Sequence, residues 1–112
     1  MNKDPLVFIE HILENINLIE ESKTSSKEGL EKNKTLQNAI LRELEIIGEA
    51  VKNLPKSFTE KYPQVQWKQI AGLRDKIIHH YFGVDLNLVW DVINSDIPKL
   101  KKEILEIKKT LK

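Results

Sequence analysis

Between residues 27 and 54 the apolar side chains recur on one helical face: Leu36, Ile40, Leu44, Ile47, Val51 and Leu54, widened by Ala39, Ile46 and Ala50. A stripe of this length commits the segment to an amphipathic helix over about residues 27–53. Such a helix must bury its face against other elements. The rest of the chain offers only helices for that purpose. Asp4-Pro5 reads as an N-cap followed by proline at the first helical position. Leu6, Ile9, Ile12, Leu13, Ile16 and Ile19 then predict a first helix over about residues 5–21. The polar run 22–26 reads as a turn, with Ser25 or Ser26 capping the second helix. Pro55 and Pro63 bracket a connection over 56–62. A third helix is expected over about 67–82, ended near Gly83. A fourth starts after Asp85 with Leu86, Val89, Trp90 and Ile93. Asn94-Ser95-Asp96 is expected to break it. A fifth then runs from about 96 to the end on Ile97, Leu100, Ile104, Leu105 and Ile107, with Pro98 in its first turn.

No alternating run and no Asn-Gly or Asp-Gly hairpin signal appears, so strands are not expected. The expected fold is all-α, an antiparallel bundle of four to five helices with short loops. At 112 residues the prior is one domain spanning 1–112. Cysteine is absent, which excludes disulfides and thiolate metal sites and fits a reducing cytoplasm. The N-terminal stretch carries charges every few residues. It is expected to be neither a signal peptide nor a membrane span. The net charge is only +1. If the chain grips nucleic acid, it must do so with a local patch rather than a global field.

Polar residues that interrupt the stripes are the candidates for chemistry. On a wheel of about 100° per residue, Trp67, Ile70, Ala71, Ile77, Ile78 and Tyr81 share one broad face, and Arg74 falls near its middle. An arginine there either snorkels out along its stem or is paired. Glu43 sits inside the arc of Ala39, Ile40, Ile47 and Ala50, so a Glu43–Arg74 contact between facing helices would satisfy both. Glu45 and Glu49 lie on the other side of that helix and are the weaker candidates. His79 and His80 point about 100° apart and cannot serve one metal from a regular helix. No His-x3-His or Glu-x-x-His pair exists, so neither metal nor cofactor is expected. Arg74 and Tyr81 share a face, whereas Arg74 and His79 diverge by about 140°. Three routes to a common site stay open: Arg74 reaches around, the helix unwinds near Gly83, or a second subunit completes the site.

The run Arg74-Asp-Lys-Ile-Ile-His79-His80-Tyr81 matches an R-x4-H-x-Y motif. Around it lie LRELEIIGEAVKNLP and the block YPQVQWKQIAGLRDKIIHHYFGVDLNLVWDVINSDIPKL. In these segments, and so over nearly its whole length, the chain resembles the HepT-like HEPN toxins. Asp75 stands where many relatives carry asparagine, which bears on a detail of substrate contact. The resemblance implies an all-helical homodimer whose motif helices meet at a shared cleft, and a metal-independent endoribonuclease acting on RNA. It also implies a partner, a minimal nucleotidyltransferase antitoxin of the MntA type, able to attach AMP to Tyr81 and so silence the toxin.

The roles suit these residue types. RNA carries its own nucleophile, the 2′-hydroxyl. Histidine exchanges protons near neutral pH, the role given to His79. The guanidinium of Arg74 would stabilise negative charge on the phosphate. Tyr81 would donate to phosphate or orient the histidine. His80 ranks behind His79, because only His79 fits H-x-Y. Phe82, Leu86 and Trp90 are the candidate dimer contacts. The alternative is a non-catalytic helical subunit that binds nucleotide or docks onto a nucleotidyltransferase. A purely structural bundle ranks last, since it leaves Arg74 no purpose beyond pairing.

Overall fold

The computed structural model describes residues 4–22, 26–78 and 85–111, with Arg74 and Ile78 as backbone only. Among the described residues every regular element is helical: eight α-helices and one π-helical segment, with no strand. Helix α1, Pro5–Ser22, starts as expected. The Asp4 carboxylate accepts from the Leu6 N–H at 2.9 Å, which satisfies one of the free donors of the first turn.

The expected single helix over 27–53 is instead two, α2 (Lys27–Lys32) and α3 (Lys34–Asn53). Ser26 caps the first by accepting from Gly29 N–H at 3.1 Å. Asn33 causes the interruption. Its backbone is extended (φ −117°, ψ 93°), its N–H closes α2 onto the Leu30 carbonyl at 3.3 Å, and its Oδ1 accepts from Leu36 N–H at 3.0 Å to open α3. Short amide side chains compete with the helical ladder in this way. The Gln37 side chain bridges the joint, donating to the Leu30 and Glu31 carbonyls.

After α3 the connection contains a single turn, α4 (Lys56–Thr59), that buries Phe58. Phe58 packs against Tyr62, ring centroids 5.1 Å apart, and against Trp67 at 6.4 Å. The Trp67 indole N–H donates to the Tyr62 carbonyl at 3.0 Å. This aromatic knot folds the chain back on itself, so that the next helices run antiparallel to α3.

Those helices are α5 (Trp67–Ala71) and α6 (Leu73–Ile78), separated at Gly72 (φ −95°, ψ 3°). One uninterrupted helix was expected from residue 67; its last residues, 79–82, lie outside the described residues together with Gly83. The interruption is mild. Gly72 N–H donates to the Lys68 and Gln69 carbonyls and its own carbonyl accepts from Lys76 N–H at 3.0 Å, so α6 continues the course of α5.

Helix α7 (Leu86–Asp91) opens on Asp85, whose carboxylate accepts from Leu88 N–H at 3.1 Å. The expected break at 94–96 does not occur. A π-helical segment, Val92–Asp96, joins α7 to α8 (Ile97–Thr110). Pro98 supplies the reason. It has no N–H to give, and its ring crowds the carbonyl four residues back, that of Asn94. Widening the turn, with Ile97 N–H reaching the Val92 carbonyl, accommodates both without ending the helix.

One core holds these elements together. Ile9, Ile12, Ile16 and Ile19 of α1, Ile40, Leu44 and Ile47 of α3, Ile77 of α6 and Ile93, Ile97 and Ile104 near the C-terminus are all almost fully buried. Helix α3 packs on α1, α5 and α6, and α8 packs on α1 and the π-helical segment. Leu105, read as part of the last helix's apolar face, is exposed.

Candidate functional site

The motif begins on α6, and α6 is placed by α3. Ile70, Leu73 and Ile77 form the buried edge of α5–α6. Leu73 was absent from the face read off the sequence, because it lies at that arc's margin. At Gly48 the backbone of α3 comes close to the backbone of α5. A Cβ built on Gly48 would sit 3.1 Å from the Ala71 carbonyl oxygen and 3.5 Å from that of Ile70. Gly48 is buried in the middle of α3, where glycine weakens a helix by about 1 kcal/mol relative to alanine. Its reason is this contact. A glycine inside an otherwise strong apolar stripe was the available signal, and reading the wheel for side chains alone overlooked it.

Arg74 lies on α6 one turn beyond Ile70 and Ala71; its side chain lies outside the described residues. His79, His80 and Tyr81 do too, as does the dimer candidate Phe82. The described chain on either side brackets them: Asp85 N–H donates to the Ile77 carbonyl at 3.3 Å, tying the start of α7 to the end of α6. Asp75 and Lys76 are exposed, and Leu86 and Trp90 are half-buried.

Of the acids on α3, Glu43 is half-buried, and its Oε1 is buried with no hydrogen-bond partner among the described residues. Burial pushes its carboxyl above the ordinary value of 4.5. Glu45 is half-buried and approaches the Arg42 guanidinium at 3.5 Å. A groove of about 390 Å³ separates α5–α6 from α8. Lys68, Lys76 and Lys99 line it together with Asp96 and Glu103, so its charges are of both signs. Among the described residues no group of three or more His, Cys, Asp or Glu is arranged to hold a metal ion. No described helix is long and apolar enough to cross a membrane.

Residues 12–107 match the family model of the HepT-like ribonucleases. A Methanocaldococcus jannaschii protein named as a gamma-glutamylcyclotransferase and putative RNase is 52% identical over 112 residues; the match covers 99% of this chain but 50% of that protein. A Caldanaerobacter subterraneus protein named as a putative RNase is 52% identical over 106 residues, covering 94% of this chain and 95% of its own. A Thermococcus cleftensis protein named as a probable ribonuclease HepT is 43% identical over 103 residues, covering 91% and 94%. No solved structure is a significant match. An all-α fold, the motif that starts on α6 and a family match running from α1 into α8 agree: the chain belongs to the HepT-like ribonuclease family.

Proposed function

We propose that this chain is a metal-independent endoribonuclease, the toxin of a toxin–antitoxin pair, with Arg74, His79 and Tyr81 at its site. The observation that carries the reading is the complete R-x4-H-x-Y set inside the segment that matches the ribonuclease family. The reaction is transesterification. The 2′-oxygen attacks the adjacent phosphorus, and the bond from phosphorus to the 5′-oxygen breaks. A 2′,3′-cyclic phosphate and a 5′-hydroxyl result. His79 exchanges the proton that leaves the 2′-hydroxyl or reaches the 5′-oxygen. Arg74 stabilises the charge gathered on the phosphate oxygens, and Tyr81 donates to phosphate or orients His79. Asp75 and His80 flank this set in supporting positions.

The protein acts as a homodimer, which offers one route past the roughly 140° between Arg74 and His79 on a regular helix. Its partner is a minimal nucleotidyltransferase antitoxin. AMP attached to Tyr81 would put bulk and negative charge where the RNA phosphate must sit, and so oppose binding.

The test is cleavage of total cellular RNA in excess EDTA by purified protein, with His79→Ala alongside. Mass spectrometry first verifies that Tyr81 carries no adduct. Discrete fragments from the wild type only are expected. Intact RNA in both lanes, across several RNA pools and from verified dimer, would instead favour a non-catalytic subunit docking onto a nucleotidyltransferase.

A further inference from the structure

The contact at Gly48 gives the register between α3 and the helix that carries Arg74, and on α3 Glu45 lies nearer to that contact than Glu43 does. Gly48 meets the carbonyls of Ile70 and Ala71. In a helix the carbonyl of residue 70 points along the axis toward residue 74, so Arg74 begins the next turn of that same stripe. Helix α3 and α5–α6 run antiparallel, because Phe58, just past the end of α3, packs on Trp67 at the start of α5. Moving three residues from Ala71 to Arg74 therefore corresponds to moving three residues back along α3, from Gly48 to Glu45. Each step is roughly 4.5 Å along its axis.

Direction around α3 gives the same answer. Glu45 lies about 60° from Gly48 on the wheel and Glu43 about 140° away. The other residue one turn back from Gly48, Leu44, is fully buried and apolar. Glu45 is the acid at that level, half-buried and 3.5 Å from the Arg42 guanidinium.

We propose that Glu45 is a positioning residue for the ribonuclease site: placed level with Arg74 across the α3–α6 contact, its carboxylate holds the Arg74 guanidinium in the orientation that meets the scissile phosphate. The inference rests on the ribonuclease reading for its catalytic consequence. A planar, forked cation needs a planar acceptor behind it if its remaining donors are to converge on a phosphate. Glu45 acts through Arg74 and does not touch RNA.

The experiment is a double-mutant cycle of Glu45→Gln and Arg74→Ala in the purified full chain, read by RNA cleavage and by thermal unfolding. Glu45→Asp and Arg42→Ala serve as controls. Glu45→Gln is expected to lower kcat roughly tenfold or more, an effect of lost orientation. Adding it to Arg74→Ala costs nothing further. Glu45→Asp restores part of the rate, and Arg42→Ala leaves it unchanged. A Glu45→Gln protein that cuts at the wild-type rate while Arg74→Ala is dead would overturn the inference and leave the ribonuclease reading intact. If the wild type cuts no RNA at all, that reading fails and the unfolding arm decides the pairing. A double variant whose melting point falls by less than the sum of the single variants supports it, and a strictly additive fall overturns it.

Discussion

Helix α3 touches its two main neighbours in different ways. Against α1 it packs by side chains: the buried isoleucines of α1 belong to the same core as Ile40, Leu44 and Ile47. Against α5 side chains also pack, since Ile70 belongs to that core, but here a glycine brings the α3 backbone close to two carbonyl oxygens as well. The neighbours differ as much. Helix α1 has 18 residues and a continuous apolar stripe, while α5 and α6 have 5 and 6. Helices that short do not hold themselves in water. They take their place from what they touch. The contrast leads us to expect that stability and positioning are separable here, with the α1–α3 pair contributing most to holding the fold and the glycine contact setting where the motif helix lies.

Substitutions on the two sides of α3 should separate these roles. The largest stability loss is expected from Ile16→Ala or Ile40→Ala, about 2–5 kcal/mol in urea unfolding. Both sites are fully buried, and neither is part of the glycine contact. Cleavage per folded molecule should stay near wild type below the unfolding transition. A folded Ile40→Ala protein with lost activity would erase the distinction. Gly48→Val should reverse the pattern. Its branched side chain cannot fit 3.1 Å from a backbone carbonyl without pushing α5–α6 outward. We expect a stability loss of about 1–3 kcal/mol, and a fall in cleavage rate larger than the lost folded fraction explains. Equal loss of both would mean that the contact only stabilises.

The sequence was legible where one physical term dominated. Apolar periodicity gave the all-helical fold, and Asp4, Ser26 and Asp85 stand as caps where a short polar residue precedes a stripe. It was less legible where two terms compete. Asn33 and Gly72 interrupt helices whose stripes run through them, and their effect depends on local backbone bonding rather than hydrophobic pattern. Asn94-Ser95-Asp96 erred in the other direction: loop-like composition, yet a π turn carries the helix past Pro98. For the site, the motif names a segment inside the family match, and that match supports a ribonuclease. Which acid on α3 faces it was not legible, because a single helix wheel has no knowledge of its neighbour. The close approach at Gly48 is the observation from which we propose Glu45.

A smaller effect probes how the α2–α3 joint supports the scaffold. Asn33→Ala removes the acceptor for Leu36 N–H and should cost about 1 kcal/mol in thermal or urea unfolding, without changing cleavage. A loss of activity at unchanged stability would place this joint, 15 residues before Gly48, in the positioning machinery and weaken the division drawn from α3.

The smallest effect concerns Glu43. Its carboxyl is raised above 4.5 by burial, so folding disfavours its charged form. At pH 7 the native state bears that penalty in full. As pH falls, the folded protein takes up the proton before the unfolded chain does, and the penalty is relieved; well below 4.5 both states are protonated and it is gone. Glu43→Gln never charges. It should be more stable than wild type at pH 7, and the gain should shrink as pH falls toward 4.5 and below. Urea midpoints measured from pH 7 to pH 4 would check this. A Glu43→Gln protein that is less stable at pH 7 would mean that a cation stabilises the Glu43 carboxylate. Arg74 would then be the first cation to test, the role of Glu45 would fall to Glu43, and the backbone contact at Gly48 would no longer predict which side of α3 serves the site.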